Sequence, residues 1–209
     1  MNRKPIRRTQ AERRENTQRR VVDAAVEVLR RDGYAGFRVT AVARAAKVSR
    51  GAQTHHFPTK ESLVLAAIEQ VFRQAKERSL ERVRALSPDD DVVAALLADC
   101  EEFFLGPYFP IALDMLNLGD RGPRLRKMIQ AMSRGERLPV EQAWSAALEA
   151  RGLGRQQAED ILWLSYSVVR GLAVRRLMQE DSVRTRRAID LWHDIARRLI
   201  GSLPRARAA

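Results

Sequence analysis

Apolar residues recur at alternating spacings of three and four along nearly the whole chain, and no stretch of useful length alternates apolar with polar side chains. This periodicity restricts the chain to an all-α fold. Val21, Val22, Ala25, Val26 and Leu29 fall on one side of a helix read over residues 17–32, and Asp32-Gly33 supplies the glycine that ends a helix in left-handed geometry. Val39, Val42, Ala43 and Ala46 mark a short second helix, and Lys47-Val48 makes a tight connection. Ser49 is a good N-cap for a third short helix, because its hydroxyl can accept from an amide that the first turn leaves unpaired. Phe57-Pro58 stops that helix. Thr59 caps a fourth, with Glu61 complementing the dipole of its first turn and Leu63, Val64, Ala67, Ile68 and Val71 forming its stripe.

Ser87-Pro88 and the three aspartates after it break the pattern, and the domain boundary is expected near the end of the fourth helix. Longer helices follow, read as 90–105, 108–118, 122–133 and 136–152, broken at Gly106-Pro107, at residues 118–123 and near Gly135. Two more cover 155–178 and 183–202. In these, Ile161, Leu162, Leu164, Val168, Val169, Leu172, Ala173 and Leu177 make one broad apolar surface and Ala188, Leu191, Trp192, Ile195 and Leu199 another. Such width suits burial on two sides, one within the subunit and one against a second copy in a four-helix interface; burial of both within a monomer is the alternative. The dimer reading assigns Leu164, Val168, Leu172, Leu191, Ile195 and Leu199 to the interface.

The chain of 209 residues carries 38 basic and 26 acidic residues, a formal charge of +12. That excess favours a polyanionic partner, nucleic acid ahead of an anionic membrane. Residues 1–20 hold eight Arg and Lys against only Glu12 and Glu15. Residues 1–16 therefore read as a disordered basic arm that orders on phosphate, or alternatively as a solvating tail, and residues 204–209 as a disordered tail. The single cysteine, Cys100, allows no internal disulfide and suits a reducing compartment, with packing as its default role. No apolar run approaches the roughly 20 residues that cross a bilayer, and the basic N-terminus leads into no signal-peptide core. A cytoplasmic protein with no membrane partner is expected.

Two short helices joined by a tight turn and preceded by a longer one make a tri-helical helix-turn-helix, whose second short helix enters the major groove of DNA. Backbone amides at Ser49, Arg50 and Gly51, together with the missing side chain of Gly51, permit close approach to phosphate and groove floor. Arg50 and Gln53 have obvious base-reading ability, Arg toward guanine and Gln toward adenine. Thr54, His55 and His56 follow on the same helix. The His55-His56 pair invites a metal reading, but neighbouring helical residues point about 100° apart, and Cys100 and His193 lie far off in sequence. No metal or other cofactor is expected. A Gly-rich phosphate loop, a nucleophile motif and a His/Asp/Cys constellation are all missing from the sequence, so no enzyme is expected either.

The stretch RRVVDAAVEVLRRDGYAGFRVTAVARAAKVSRGAQTHHFPTKESL resembles the TetR family through about 45 residues without a gap: a first helix ending in DGY, the AxxAxVSRG turn, HHF, a proline, then TKESL opening the next helix. The resemblance implies a helix-turn-helix domain over 17–86 that includes the fourth helix, and an effector-binding and dimerisation domain over 87–203. It implies that His56 and Lys60 hold phosphate and that Thr40 touches a base, as in some relatives. The family commonly has Leu and Tyr where this chain has Gln53 and Thr54, and Thr where it has Arg38. Gln53 therefore either reads a base or packs in part, and Arg38 replaces a hydroxyl contact with a charge-assisted one. A ligand pocket is implied in the C-terminal helices, with Phe103, Phe104, Tyr108, Phe109, Leu113, Met115, Leu116, Trp144, Trp163 and Tyr166 as lining and Asp114, Asn117 and Ser165 as polar handles, although ordinary core residues would look the same. The expected protein is a dimeric repressor on a palindromic operator in double-stranded DNA, released by a small hydrophobic effector. From another class, an architectural protein that coats DNA without choosing sequence fits the charge as well.

Overall fold

The computed structural model describes residues 9–116 and 123–202. Its helices are α1 (Gln10–Gly36), α2 (Val39–Ala45), α3 (Arg50–His56), α4 (Lys60–Arg84), α5 (Val92–Phe104), α6 (Phe109–Leu116), α7 (Pro123–Glu149), α8 (Arg155–Met178) and α9 (Ser182–Ser202). Among the described residues there is no strand, so the protein is all-α as expected. The chain divides into two units, Met1–Val71 with Pro110–Ala131 and Phe72–Phe109 with Met132–Ala209. The division cuts α4 after residue 71 and sets α6 from Pro110 onward with the first unit, where the sequence suggested one boundary after residue 86.

In the first unit, α1 packs on α2 and α3. Val21, Val22, Ala25, Val26, Val28 and Leu29 of α1 are buried along with Phe37, Val42, Ala43, Ala46, Phe57 and Leu63. Each buried Val, Leu or Phe among them contributes about 1.5–3 kcal/mol by leaving water. Helix α1 starts at Gln10, seven residues before the start expected at residue 17 and eleven before Val21, the first residue of its apolar stripe. Thr9 and Glu12 form a reciprocal cap, in which the Thr9 hydroxyl accepts from the Glu12 amide at 3.2 Å and the Glu12 carboxylate accepts from the Thr9 amide at 2.7 Å. Residues 10–16 are thus helical and not a disordered arm; residues 1–8 of the expected arm, and residues 204–209 of the expected tail, lie outside the described residues. The helix breaks at Gly33, whose φ of 61° and ψ of 179° belong to a region essentially reserved for glycine.

In the second unit, α5 packs on α8 and α9, and α8 on α9. Its core includes Leu96, Cys100, Trp144, Leu148, Ala158, Val169 and Ala196. Asp91 caps α5 by accepting from the amides of Val93 and Ala94 at 3.1 and 3.0 Å, and its second oxygen meets His193 Nε2 at 3.0 Å and Arg197 Nε at 3.2 Å. The break expected near Gly135 does not occur, because α7 is one helix through both Gly135 and Pro139. Pro139 cannot bond the carbonyl four residues back, which belongs to Gly135; that residue is exposed, so water can satisfy the carbonyl.

Candidate nucleic-acid interface

Helix α3 is built from both ends. Ser49 Oγ accepts from the Ala52 amide at 3.1 Å, the cap expected from its sequence position. At the other end Gln53 and Phe57 exchange two bonds: the Phe57 amide donates to the Gln53 carbonyl at 2.9 Å and Gln53 Nε2 donates to the Phe57 carbonyl at 3.0 Å. The turn into α3 runs through Lys47 at φ 53°, the only non-glycine residue at positive φ among those described. Arg20 of α1 donates to the carbonyls of Ala46 and Lys47 and so fixes that turn.

These contacts leave one side of the two-helix unit open. Arg38, Thr40, Ser49, Arg50, Gly51, Thr54 and His55 are exposed, and His56 and Lys60 are half-buried. A Cβ added at Gly51 would meet nothing within 4 Å, so no neighbour in the chain requires glycine there. Gln53 is the exception. Its side chain is 0% exposed, sits beside Phe57 on the inner side of α3, and has an unpartnered Oε1. The base-reading expectation for Gln53 is therefore corrected to packing: it fills the slot where the sequence comparison above expects Leu. Arg44 and Lys47 are exposed as well. Arg44 lies one helical turn after Thr40.

The electrostatics of the half-buried pair have distinct causes. Burial, and then the neighbouring His55 and Arg14, hold His56 below the usual histidine range. Burial, and then Arg38, also lower Lys60, with Glu61 opposing. Lys60 Nζ donates to the Tyr34 carbonyl at 3.0 Å, so one of its three protons is already committed. Arg38 Nη1 donates to the carbonyls of Ala35 and Phe37 at 2.8 and 3.2 Å, and the residue is exposed. Arg38 gives α2 no side-chain cap.

Of the expected ligand-lining residues, Phe103, Phe104 and Tyr166 come together, with Phe109 as a fourth ring. Phe104 lies 5.1 Å from Phe103, 5.2 Å from Phe109 and 5.9 Å from Tyr166 between ring centroids, and the Arg170 guanidinium is 6.0 Å from its ring. Tyr108 is half-buried. Trp144 is a core residue: it is 0% exposed and donates from Nε1 to Ser79 Oγ and Asp99 Oδ2, both at 3.1 Å. Trp163 is 59% exposed on α8. Leu113 is half-buried on α6, in the first unit, where Met115 is buried; the side chain of Leu116 and all of Asn117 lie outside what is described. The polar handles are engaged as well, Asp114 by the Tyr34 amide at 3.0 Å and Ser165 by the Ile161 carbonyl at 2.8 Å and Trp192 Nε1 at 3.0 Å. On the expected dimer surface, Leu164, Leu191, Ile195 and Leu199 are exposed, while Val168 and Leu172 are half-buried.

Among the described residues no helix is long and apolar enough to cross a membrane, and no three His, Cys, Asp or Glu side chains gather as a metal site.

Comparison with known proteins adds three kinds of likeness. A family model described as bacterial regulatory proteins, tetR family, matches residues 21–67. The chain is 51% identical over 193 residues to the HTH-type transcriptional regulator CymR of Pseudomonas putida, covering 92% of this chain and 95% of that one. Among solved structures, a TetR-family transcriptional regulator from Cytophaga hutchinsonii is similar with a TM-score of 0.70 at 16% identity, over 91% of this chain and 96% of that one. The multidrug binding protein EbrR, complexed with malachite green, is similar with a TM-score of 0.56 at 24% identity, over 87% and 96%.

Proposed function

Because the chain belongs to the TetR family of bacterial regulatory proteins, we propose that this transcriptional regulator binds a palindromic operator as a homodimer, represses the adjoining genes, and is released by a small hydrophobic effector. The observation that carries the DNA reading is the sidedness of α3. Gln53 and Phe57 hold its inner face in the core, and Arg50, Gly51, Thr54 and His55 stay on the outer face. In this reading Arg50 pairs with guanine and Thr40 and Thr54 touch neighbouring base edges. Ser49, His55, His56, Lys60 and Arg38 grip phosphates and set the register, with Gly51 allowing the close approach.

Dimerisation is supported by the exposed apolar side chains of α8 and α9. Leu191 is 62% exposed and Leu164 47%, and a surface of this kind is unusual on a monomer. Two copies joined there present two recognition helices to successive major grooves, which is why the operator is expected to be a palindrome. The effector reading rests on the ring cluster of Phe103, Phe104, Phe109 and Tyr166, with Arg170 beside it, and is supported by EbrR, which is described as multidrug binding and holds malachite green. DNA and effector each favour a different spacing of the paired heads, so each weakens the other's binding by the same factor. Helix α4, which runs from the helix-turn-helix into the second unit, carries the movement.

Selection of bound fragments from the source genome tests this reading. An inverted repeat with half-sites about one helical turn apart, or a multiple of that, is the expected product; a collection of fragments with no shared sequence contradicts it.

A further inference from the structure

The family match begins at residue 21, yet α1 begins at Gln10. Those first eleven residues, 10–20, span about 16 Å of helix, and every one of them is exposed or half-buried. A helical stretch with no apolar face draws no stability from packing, so its purpose lies in what it presents. Its register says where it points. Val21 and Ala25 are fully buried, and one and two turns before them on the same stripe come Gln18 and Arg14. The neighbouring stripe through Val22 and Val26 continues back to Arg19 and Glu15. One heptad before Arg20, which grips the carbonyls of the helix-turn-helix turn, stands Arg13. Arg14 also lies close enough to His56, at the end of α3, for its charge to act on that imidazole. The face that α1 turns inward therefore continues past the end of the core through Arg14 and Arg19, with Glu15 and Gln18 between them, and Arg13 continues the adjoining row of Arg20.

We infer that the first three turns of α1 are a second DNA-binding element, in which Arg13 and Arg14 hold backbone phosphates of the duplex next to the half-site read by α3. The charge is of the right sign, and the helix is long enough to pass several phosphates, which advance about 3.4 Å per step along a strand. The reciprocal cap of Thr9 and Glu12 gives this element a fixed start, so the guanidinium groups are carried by a formed helix. The inference rests on the DNA-binding reading above and extends it to residues outside the motif.

The test is a salt titration of the full chain on a random-sequence duplex and on a duplex selected from the genome. Three double variants are compared with the wild type: Arg13→Ala with Arg14→Ala, Arg13→Lys with Arg14→Lys, and Arg155→Ala with Arg184→Ala as a charge-matched control in the second unit. The alanine pair is expected to flatten the slope of log affinity against log salt by about 1.8, so that over a fourfold rise in salt the wild type loses about tenfold more affinity than the variant. The lysine pair and the control pair are expected to keep the wild-type slope. Wild-type binding with an unchanged slope in the alanine pair, or an equal flattening in the control pair, overturns the inference alone. A wild-type chain that binds neither duplex overturns the DNA-binding reading and the inference with it.

Discussion

Lys60 donates its ammonium to the backbone carbonyl of Tyr34 at 3.0 Å and lies 4.2 Å from the centre of the same residue's ring. The amide of that residue donates to Asp114 Oδ2 at 3.0 Å, so the two peptide units that flank Tyr34 are held, one by α6 and the other by α4. Gly33 just before it adopts φ 61°, ψ 179°, which lets the chain leave α1 and reach both partners. Gly33→Ala is therefore expected to cost about 1–3 kcal/mol through backbone strain. The added Cβ would make only an ordinary contact with Asp114, at 3.6 Å. A thermal melt followed by circular dichroism reads the loss, and an unchanged midpoint contradicts the strain argument.

Gly51 offers the opposite case. No atom within 4 Å of its would-be Cβ requires glycine, and alanine is the better helix former by about 0.8–1 kcal/mol. Gly51→Ala is expected to raise the melting temperature while weakening DNA binding at least about tenfold, or 1.4 kcal/mol. Equal affinity in variant and wild type would show that the duplex does not approach this backbone closely.

Gln53→Leu removes an unpartnered buried oxygen, worth about 1–3 kcal/mol, and also a hydrogen bond to the Phe57 carbonyl, worth about 1 kcal/mol. The expected result is a protein at least as stable as the wild type, with an unchanged preference among base pairs. Relaxed preference at one base pair, seen by competitive selection, would restore Gln53 to the reading surface.

Asp99 joins Ser79 of α4 and Trp144 of α7 in a mostly buried network, with Ser79 Oγ donating to its carboxylate at 2.7 Å. Burial raises this carboxyl above its ordinary value against the opposing effects of Ser79, Trp144 and Arg82. A raised folded-state value means that its contribution is full below the unfolded value of about 3.9 and is lost as pH rises through the folded one. Asp99→Asn keeps the acceptor but does not ionise, so its melting temperature should gain on the wild type as pH rises above about 4. Asp99→Ala leaves Ser79 and Trp144 short of a partner and should cost about 1–3 kcal/mol. A constant difference between the Asn variant and the wild type across pH would contradict the burial argument.

Leu191→Asp alters a side chain that is 62% exposed in the single chain, so it should leave helix content intact. Under the dimer reading it yields monomers by light scattering, with little affinity for the selected duplex. A dimer of undiminished affinity would move the interface elsewhere.

The parts legible in the sequence are those with a local cause. Ser49 and Thr59 cap α3 and α4 as expected, the latter by accepting from the Ser62 amide at 3.0 Å, and α8 matches its reading because 155–178 is one uninterrupted stripe. The start of α1 was also written locally, in the Thr9 to Glu12 capping spacing, but the eight nearby cations drew the reading toward disorder. No break occurs at Gly135 because one glycine costs a helix interior only about 1 kcal/mol relative to alanine and does not by itself end it. The candidate site is less legible, since residue type does not fix exposure. Gln53 is polar and buried, Trp144 is aromatic but hydrogen-bonded in the core, and Trp163 is aromatic but exposed. Which side of its helix each residue occupies depends on the packing of several elements at once.

The most direct test of the account is the ratio of affinities for the genome-selected duplex and a random duplex of equal length, measured at one salt concentration. A specific regulator is expected to prefer its site by about a thousandfold or more, with Arg50→Ala narrowing the ratio. Equal affinity for the two duplexes would contradict sequence recognition and leave a protein that coats DNA by charge.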